Sequence, residues 1–217
     1  TVRGQVGGSS AVTFFDIGQG DAALVKAGNN IFLIDTGPSY GFWDAGNDVI
    51  LPTLAENNIT RVDGIFISHL HEDHTGGLMS ILRRVRPGAI FTSAACTDSL
   101  SRLLGMTCVG LGAGDSLSYD GGGALVLWPG TGGGIIADGQ PDEHRTGNEA
   151  SLVIRFDTAE GRILFTGDIE PDTQTQLTAW NGHLESGILK VPHHGAAGLS
   201  SAFLSAVDRL TAVISCG

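Results

Sequence analysis

The feature that most constrains this chain is a cluster of histidines and carboxylates directly after an apolar segment. Residues 62–67 read Val-Asp-Gly-Ile-Phe-Ile and predict a buried strand, and the six residues that follow Ser68 include His69, His71, Glu72, Asp73 and His74. Neutral imidazole and carboxylate are the ligands that divalent transition metals prefer. This spacing is too dense for core histidines that each satisfy one hydrogen bond. It therefore predicts a metal site at the end of a strand.

Three further strand ends carry residues of the same chemical type. Asp168 ends the run Phe-Thr-Gly-Asp, and it either bridges two cations or caps the helix predicted just beyond it. His193 and His194 follow another apolar run, and we expect one to bind metal while its neighbour faces a substrate. Two exposed loop histidines are the alternative. Asp35 is expected to hold a ligand histidine through a hydrogen bond rather than to bind metal directly.

The composition favours one domain with many strands. The chain has 217 residues, of which 41% are hydrophobic and 33 are glycine, which suits a sizeable core and tight turns. We expect a single domain with two halves, roughly residues 1–115 and 116–217. No run of about 18 apolar residues is present, so no membrane-spanning segment is predicted. Because the chain starts with Thr1, we expect a soluble piece excised from a longer protein.

The charge argues against an obvious nucleic-acid-binding surface. The formal net charge is −11, and contacts to phosphates need local positive charge. Bound cations would offset part of this charge at the place where a phosphate would lie. The three cysteines, Cys96, Cys108 and Cys216, lack metal-binding spacing and are expected to pack as small apolar residues.

Apolar periodicity and turn signals predict strands that alternate with helices. The predicted strands cover residues 11–16, 21–26, 31–35, 62–68, 89–91, 124–128, 151–156, 162–166, 188–191 and 211–215. The predicted helices cover residues 47–57, 75–84, 98–104, 171–180 and 200–206. Residues 110–134 are rich in glycine and are predicted to hold a single strand, and residues 131–147 an irregular loop with His144 as a candidate further ligand. The pattern favours two packed sheets with helices outside, an α/β (α+β) fold.

Taken together, these motifs resemble those of the metallo-β-lactamase superfamily. The resemblance rests on Asp35, on the spacing from His69 to His74, on Asp168 and on the pair His193-His194. It implies a four-layer αββα sandwich of two mixed sheets with the active site at the edge between them. A closer similarity is to the C-terminal domains of DNA-internalisation competence proteins of the ComEC family. The segments that carry it are residues 15–22, 33–38, 68–77, 148–153, 164–168 and 190–195.

The resemblance also implies roles for individual residues. His69 and His71 would hold a first divalent ion, Asp73, His74 and His194 a second, and Asp168 would bridge the two. The catalytic residues would be Asp73 and Asp168, as proton acceptors, and His193, which would stabilise charge on the substrate. Many superfamily members supply a further histidine to the first ion, whereas this chain has Asn148 and Ser151 in that region. Substrate or supporting contacts are expected from Asp16, Gln19, Asp21, Asn148 and Ser151.

The function implied is that of a metal-dependent nuclease that hydrolyses DNA during its uptake, with two divalent ions, Zn or Mn. The substrate would be single-stranded or duplex DNA, and the domain would belong to a polytopic membrane channel protein, on the extracytoplasmic side of the membrane. The scarcity of basic residues favours an alternative, a small-substrate phosphodiesterase such as a phosphocholine esterase, or a lactonase. The incomplete first site favours another, a metal-dependent DNA-docking module without turnover.

Overall fold

The computed structural model describes residues 2–6, 10–130, 147–180, 182–196 and 198–217. Their strands form two mixed sheets built from consecutive parts of the chain. Strands of the first sheet are β1 (Val2–Val6), β2 (Ser10–Phe14), β3 (Ala23–Ala27), β4 (Asn30–Ile34), β7 (Val62–Ile67), β8 (Pro87–Ser93) and β9 (Val109–Leu111). They lie in this order in the sheet, while β5 (Ser39–Tyr40) and β6 (Trp43–Asp44) form a separate hairpin.

The second sheet follows directly after the first. Its strands are β10 (Ser116–Tyr119), β11 (Gly122–Trp128), β12 (Val153–Thr158), β13 (Gly161–Phe165), β14 (Ile188–Lys190) and β15 (Thr211–Val213), again in chain order. The α-helices are α1 (Leu51–Glu56), α2 (Glu72–Thr75), α3 (Leu78–Leu82), α4 (Thr97–Leu104), α5 (Pro171–Leu177) and α6 (Ser201–Val207). Shorter helical turns cover Gly46–Ile50, Ala94–Cys96, Asn148–Ala150 and Pro192–Gly195.

Both sheets are buried on two faces, because alternate residues of a strand point to opposite sides. In β4, Phe32 and Ile34 pack between the sheets, whereas Leu33 packs with the helices that cover the first sheet. In β13, Phe165 packs between the sheets and Leu164 packs under α5 and α6. The helices therefore form the outer layers and the sheets the inner ones. This confirms the four-layer αββα sandwich expected from the sequence.

Each sheet changes from antiparallel to parallel pairing at a corresponding place. The strands from β1 to β4 pair antiparallel, and β4, β7, β8 and β9 pair parallel. The strands from β10 to β13 likewise pair antiparallel, and β13, β14 and β15 pair parallel. The first parallel pair of each sheet, β4 with β7 and β13 with β14, precedes the motifs that the sequence singles out.

The structure differs from the predicted elements at several places, and β1, β5 and β6 have no predicted counterpart. The glycine-rich segment contains β9 and β10 in addition to β11. The prediction missed these two strands because segments of three and four residues with few apolar side chains give only a weak hydrophobic pattern. The helix predicted at residues 75–84 begins earlier, at Glu72, and is divided into α2 and α3 around Gly76 and Gly77. The loop predicted at residues 131–147 lies outside the described residues, except for Gly147, and so does His144.

Candidate metal centre

The candidate centre lies beyond the carboxyl ends of four strands. In the first sheet, Asp35 follows β4 and the segment from Ser68 to His74 follows β7. In the second sheet, Asp168 follows β13 by a short turn and His194 follows β14. Ligand-binding residues in sheets with parallel strands commonly lie beyond these ends. Neither sheet alone contains the full set, so the packing of the two sheets assembles the site.

Backbone contacts fix helix α2 on the first sheet. The amide of Thr36 donates to the carbonyl of His74 at 2.8 Å, and the amide of Asp21 donates to the carbonyl of Asp73 at 3.1 Å. Glycine permits the close approach, because a Cβ on Gly76 would lie 2.2 Å from the amide nitrogen of Ser39. The side chains of Asp73 and His74 therefore project from a rigid turn.

Four side chains from both sheets converge on one point. Asp73, His74, Asp168 and His194 each offer one ligand atom, and these atoms lie within 4.8 Å of one another. Oδ2 of Asp168 is 3.3 Å from Nε2 of His74 and 3.4 Å from Nε2 of His194. Within the part of the chain that the structure describes, both of these imidazole nitrogens, and Oδ1 of Asp168, are buried without a hydrogen-bond partner of good geometry. Such orphaned atoms need an explanation, and a divalent cation held by imidazole and carboxylate would satisfy them together.

His69 and His71 lie directly beside this group. Nε2 of His69 is 3.0 Å from Nδ1 of His71 and 3.9 Å from Oδ2 of Asp168. The two imidazole nitrogens are within hydrogen-bonding distance of each other. Oδ2 of Asp168 thus lies between the group of His74 and His194 and the ring of His69, as the expected bridging role requires.

The segment around Asn148 closes one side of this second group. A Cβ on Gly147 would lie 3.8 Å from Nε2 of His71. Oγ of Ser151 accepts a hydrogen bond from the amide of Asp168 at 3.0 Å and lies 3.4 Å from Nδ1 of His69. Among the described residues, Oδ1 of Asn148 has no hydrogen-bond partner, and its amide group donates to Glu170. Ser151 therefore supports His69 from the side of Nδ1, while Nε2 of that ring faces His71 and Asp168.

Asp35 lies behind His74 and fixes its ring. Oδ2 of Asp35 is 2.9 Å from Nδ1 of His74, while the amide and hydroxyl of Ser68 donate to the same carboxylate at 2.7 and 2.8 Å. Because an ionised carboxylate only accepts hydrogen bonds, Nδ1 carries the proton. Nε2 is thereby directed toward Asp168, which is the usual arrangement behind a metal-binding histidine.

The carboxylates make this region strongly favourable for positive charge. Burial alone would lower the pKa of His74, but Asp35 and Asp168 raise that pKa to about 10. Burial alone would also lower the pKa of His194, but contacts with Asp168, Asp21 and Asp73 outweigh burial and raise that pKa to about 12. A potential that favours protonated imidazole also favours a divalent cation.

His69 has the opposite electrostatic environment. Its burial and the neighbouring His74 lower the pKa of His69 to about 3. The ring is therefore neutral at pH 7, which is the form that binds a metal.

His193 lies at the rim of the site, and His194 lies among the ligand atoms. The side chain of His193 is 36% exposed and that of His194 is 5% exposed. Both residues have positive φ, 47° and 53°, a conformation that is uncommon without glycine and that turns the two rings apart. Nδ1 of His193 is 2.9 Å from Oε1 of Glu170. The structure thus separates a buried ring from one that a substrate can reach.

The remaining predicted residues divide into two groups. Asp21 is buried behind His194, with Oδ1 3.5 Å from Nδ1 of that histidine. Asp16 and Gln19 are exposed, and Asp16 lines a groove with residues 213–216 rather than the candidate centre. The polar turn therefore contributes one residue to the centre.

The chain matches the family model of the metallo-beta-lactamase superfamily over residues 15–217. The chain belongs to this superfamily. Among solved structures, it is similar to a B3 metallo-beta-lactamase with an active-site glutamic acid, with a TM-score of 0.64, 17% identity, and coverage of 95% of this chain and 86% of that one. Members of the superfamily are generally metal-dependent hydrolases, which agrees with a divalent metal at the cluster of histidines and carboxylates.

Two curated superfamily relatives are similar over most of this chain. The uncharacterized protein YcaI of Escherichia coli is 32% identical over 86% of this chain and 22% of its own length. The competence protein ComA of Neisseria gonorrhoeae is 29% identical over 96% of this chain and 27% of its own length. The chain thus spans about a quarter of these relatives. Among the described residues, no helix is long and apolar enough to cross a membrane.

Sequence reasoning missed three residues of this superfamily site. Glu170 accepts from Asn148 at 2.9 Å and contacts His193, Ser68 supports Asp35, and Lys190 forms a buried ion pair with Asp21. Glu170 lies two residues after Asp168, and Ser68 and Lys190 are the first residues of two segments that carry the resemblance, but none of the three was assigned a role. Lys190 carries a clearer signal, because a charged residue at the end of a buried strand requires a partner.

Proposed function

We propose that this chain is a metal-dependent phosphodiesterase that hydrolyses DNA. The observation that carries the proposal is the position of Oδ2 of Asp168, which lies 3.3 Å from Nε2 of His74, 3.4 Å from Nε2 of His194 and 3.9 Å from Nε2 of His69. His71 lies next to His69, and Asp73 next to His194. The similarity to a competence protein over nearly the whole chain supports DNA as the substrate. The mixture of imidazole and carboxylate supports Zn or Mn as the ions. Two such ions would supply an activated water and would stabilise the charge of the phosphoryl oxygens.

The residues of the chain divide the remaining work. Asp73 is partly exposed, with a side chain that is 30% accessible, so it can accept the proton of an attacking water. His193 faces solvent at the rim, where it can donate a hydrogen bond to a phosphoryl oxygen. Glu170 lies 2.9 Å from Nδ1 of His193, and Nε2 of the same ring lies 3.9 Å from Oδ2 of Asp168, so this nitrogen is close to the place where a bound phosphate would lie. Asp35 and Ser151 hold the rings of His74 and His69.

We also propose that the chain forms one domain of a longer, membrane-associated protein and acts on the extracytoplasmic side. The coverage of only 27% of the competence protein by nearly all of this chain supports a longer protein. The membrane association and the extracytoplasmic side follow from the resemblance to competence proteins that take up DNA. The divide between the two halves would fall between β9 and β10.

The decisive experiment is incubation of the chain with labelled single-stranded and duplex DNA in the presence of Mn²⁺ or Zn²⁺, with EDTA as the metal-free control. We expect cleavage that requires metal and is abolished by Asp168→Ala. The matched control is Asp172→Ala, which removes an exposed carboxylate from the first turn of α5 and should leave cleavage unchanged. Full metal-dependent cleavage by Asp168→Ala would contradict the proposal.

A small phosphodiester is the second candidate substrate, and the charge of the chain favours it. Lys and Arg number 12 against 23 Asp and Glu. Lys190, the lysine next to the site, is buried in an ion pair with Asp21 and cannot reach a phosphate. Hydrolysis of bis-p-nitrophenyl phosphate without cleavage of DNA would favour this candidate. A steep fall of DNA affinity with salt would favour DNA, because phosphate contacts release counterions.

A further inference from the structure

Lys190 is a buried lysine at the end of β14. Its side chain is 3% exposed, and lysine is rarely buried to this extent unless it is paired. Nζ lies 2.7 Å from Oδ2 of Asp21 and donates to the carbonyl of Val191 at 3.0 Å. Asp21 belongs to the loop before β3, and its side chain is 7% exposed. The ion pair therefore joins the second sheet to the first in the interior of the protein.

Asp21 is also fixed through its backbone. Its amide donates to the carbonyl of Asp73 at 3.1 Å, and its carbonyl accepts from the amide of Gly37 at 2.9 Å. The ammonium of Lys190 is the positively charged partner of the Asp21 carboxylate. The carboxylate is thus held at a fixed place relative to helix α2.

The second oxygen of Asp21 faces His194. Nδ1 of His194 donates a hydrogen bond to the carbonyl of Ser215 at 3.1 Å, because a carbonyl oxygen only accepts. Oδ1 of Asp21 lies 3.5 Å from the same nitrogen, at ion-pair distance, and makes no hydrogen bond within the described part of the chain. Nε2 of His194 is consequently the atom that faces Asp73 and Asp168, at 3.2 and 3.4 Å from their Oδ2 atoms.

We propose that Lys190 and Asp21 are a pair of positioning residues for the metal centre. The pair holds the second sheet against helix α2 and directs Nε2 of His194 to the metal position between Asp73 and Asp168. Neither residue touches the substrate in this arrangement. The inference rests on the proposed two-metal centre. It assigns to the buried lysine a role in positioning the ligands of one of the two metal ions.

The test is a titration with Co²⁺, followed by visible absorption and by equilibrium dialysis, so that it does not depend on hydrolysis. We expect two ions in the wild type. Lys190→Met and Asp21→Asn should each weaken one ion by about 10–100-fold and leave the other unchanged, as is typical when support behind a ligand is removed. Combining the two changes should add little, because the two residues act as a unit.

A second variant separates positioning from stability. The double change Lys190→Met with Asp21→Leu replaces the ion pair by apolar side chains and leaves no unpaired buried charge, so the fold should persist. This double variant should still bind one of the two Co²⁺ ions more weakly than the wild type does. The matched control is Arg155→Met, which breaks an ion pair with Asp157 (Nε to Oδ1, 2.6 Å) on β12, and it should keep both ions.

The outcomes are distinct. Wild-type affinity for two Co²⁺ ions in the folded double variant would overturn the positioning role, and so would an equal loss in Arg155→Met. A wild type that binds a single ion would overturn it as well. A wild type that binds two ions and loses one in the double variant, but cleaves no DNA, would refute the proposed DNA hydrolysis and leave the positioning role standing.

Discussion

Nδ1 of His74 lies 2.9 Å from Oδ2 of Asp35, and both residues are buried. This pairing predicts the effect of Asp35→Asn, which keeps the shape of the side chain but can offer an NH₂ group to Nδ1. The ring then loses the partner that fixes its orientation and proton. We expect metal affinity to fall by about 10–100-fold, measured by equilibrium dialysis.

The matched control for this change is Asp63→Asn. Asp63 lies at the start of β7, the strand that precedes His74. Asp63 accepts from the amide of Ile31 and from Arg61, far along the strand from the cluster. Its replacement should leave metal affinity unchanged. Equal losses in the two variants would show that the effect of Asp35 is general destabilisation.

Replacement of His193 and replacement of His194 should have different effects on metal binding and on kcat. His194→Ala removes a buried ligand atom, so we expect the loss of one bound ion, measured by elemental analysis of the dialysed protein. His193→Ala removes a group at the rim, so we expect both ions to remain and kcat to fall by about 10²–10⁴-fold. Loss of an ion from His193→Ala, with retention in His194→Ala, would reverse the assignment.

Gly77 should tolerate no side chain. A Cβ at this position would lie 2.4 Å from the carbonyl of Thr36 and 2.5 Å from the amide of Gly46, and both are backbone atoms that cannot move away alone. Gly77→Ala should therefore lower the free energy of unfolding by about 1–3 kcal/mol, measured by urea denaturation. Gly130→Ala, where the added carbon has no atom of the described residues within 4 Å, is the control and should unfold nearly as the wild type does.

The contact between the sheets should depend on Phe156. Its side chain is fully buried and packs edge-on against Phe66, with ring centroids 5.4 Å apart. We expect Phe156→Ala to cost about 3–5 kcal/mol of unfolding free energy, because the substitution leaves a cavity. Phe42→Ala, at the fully exposed tip of the β5–β6 hairpin, should change it by less than about 0.5 kcal/mol. Similar losses in both variants would contradict this packing.

The three thiols should react at different rates with a thiol reagent such as DTNB. Cys216 is exposed, whereas Cys96 and Cys108 are buried and burial raises the pKa of both thiols. A raised pKa lowers the fraction of reactive thiolate at a given pH. We expect one rapid equivalent in the folded protein and three in denaturant. More than one rapid equivalent in the native state would contradict the burial.

Much of the fold could be predicted from the sequence, because each buried strand leaves a run of apolar residues. The strand before Ser68 and the strand before Asp168 end within one or two residues of their predicted ends. β10 was missed, since Ser-Leu-Ser-Tyr offers only two apolar side chains. The division of the predicted helix at Gly76 was missed because its cause, contact with the backbone of Ser39, joins residues distant in sequence.

Prediction of the site residues is limited in the same way, because contacts between distant segments leave no signal in the local sequence. Dense spacing predicts that His69 and His74 act together, and a strand-end position predicts Asp168, because these signals are local. The exposed position of Asp16 and the burial of Asp21 could not be told apart within one polar turn. Glu170 and Lys190 gain their meaning from partners in other segments, Asn148 and Asp21, and such pairs become visible only after the chain has folded.

The proposed ligands come from matching strand ends of two consecutive sheets, and this has a consequence for assembly. His74 and Asp168 are more than ninety positions apart in the chain, yet Nε2 of His74 and Oδ2 of Asp168 are 3.3 Å apart. A cation bound between them would act as a cross-link that closes a long loop, which restricts the unfolded chain more than a short-range contact does. Metal uptake should therefore occur only after both halves have docked, so that hydrolytic activity appears with the completed sandwich and not with either half alone.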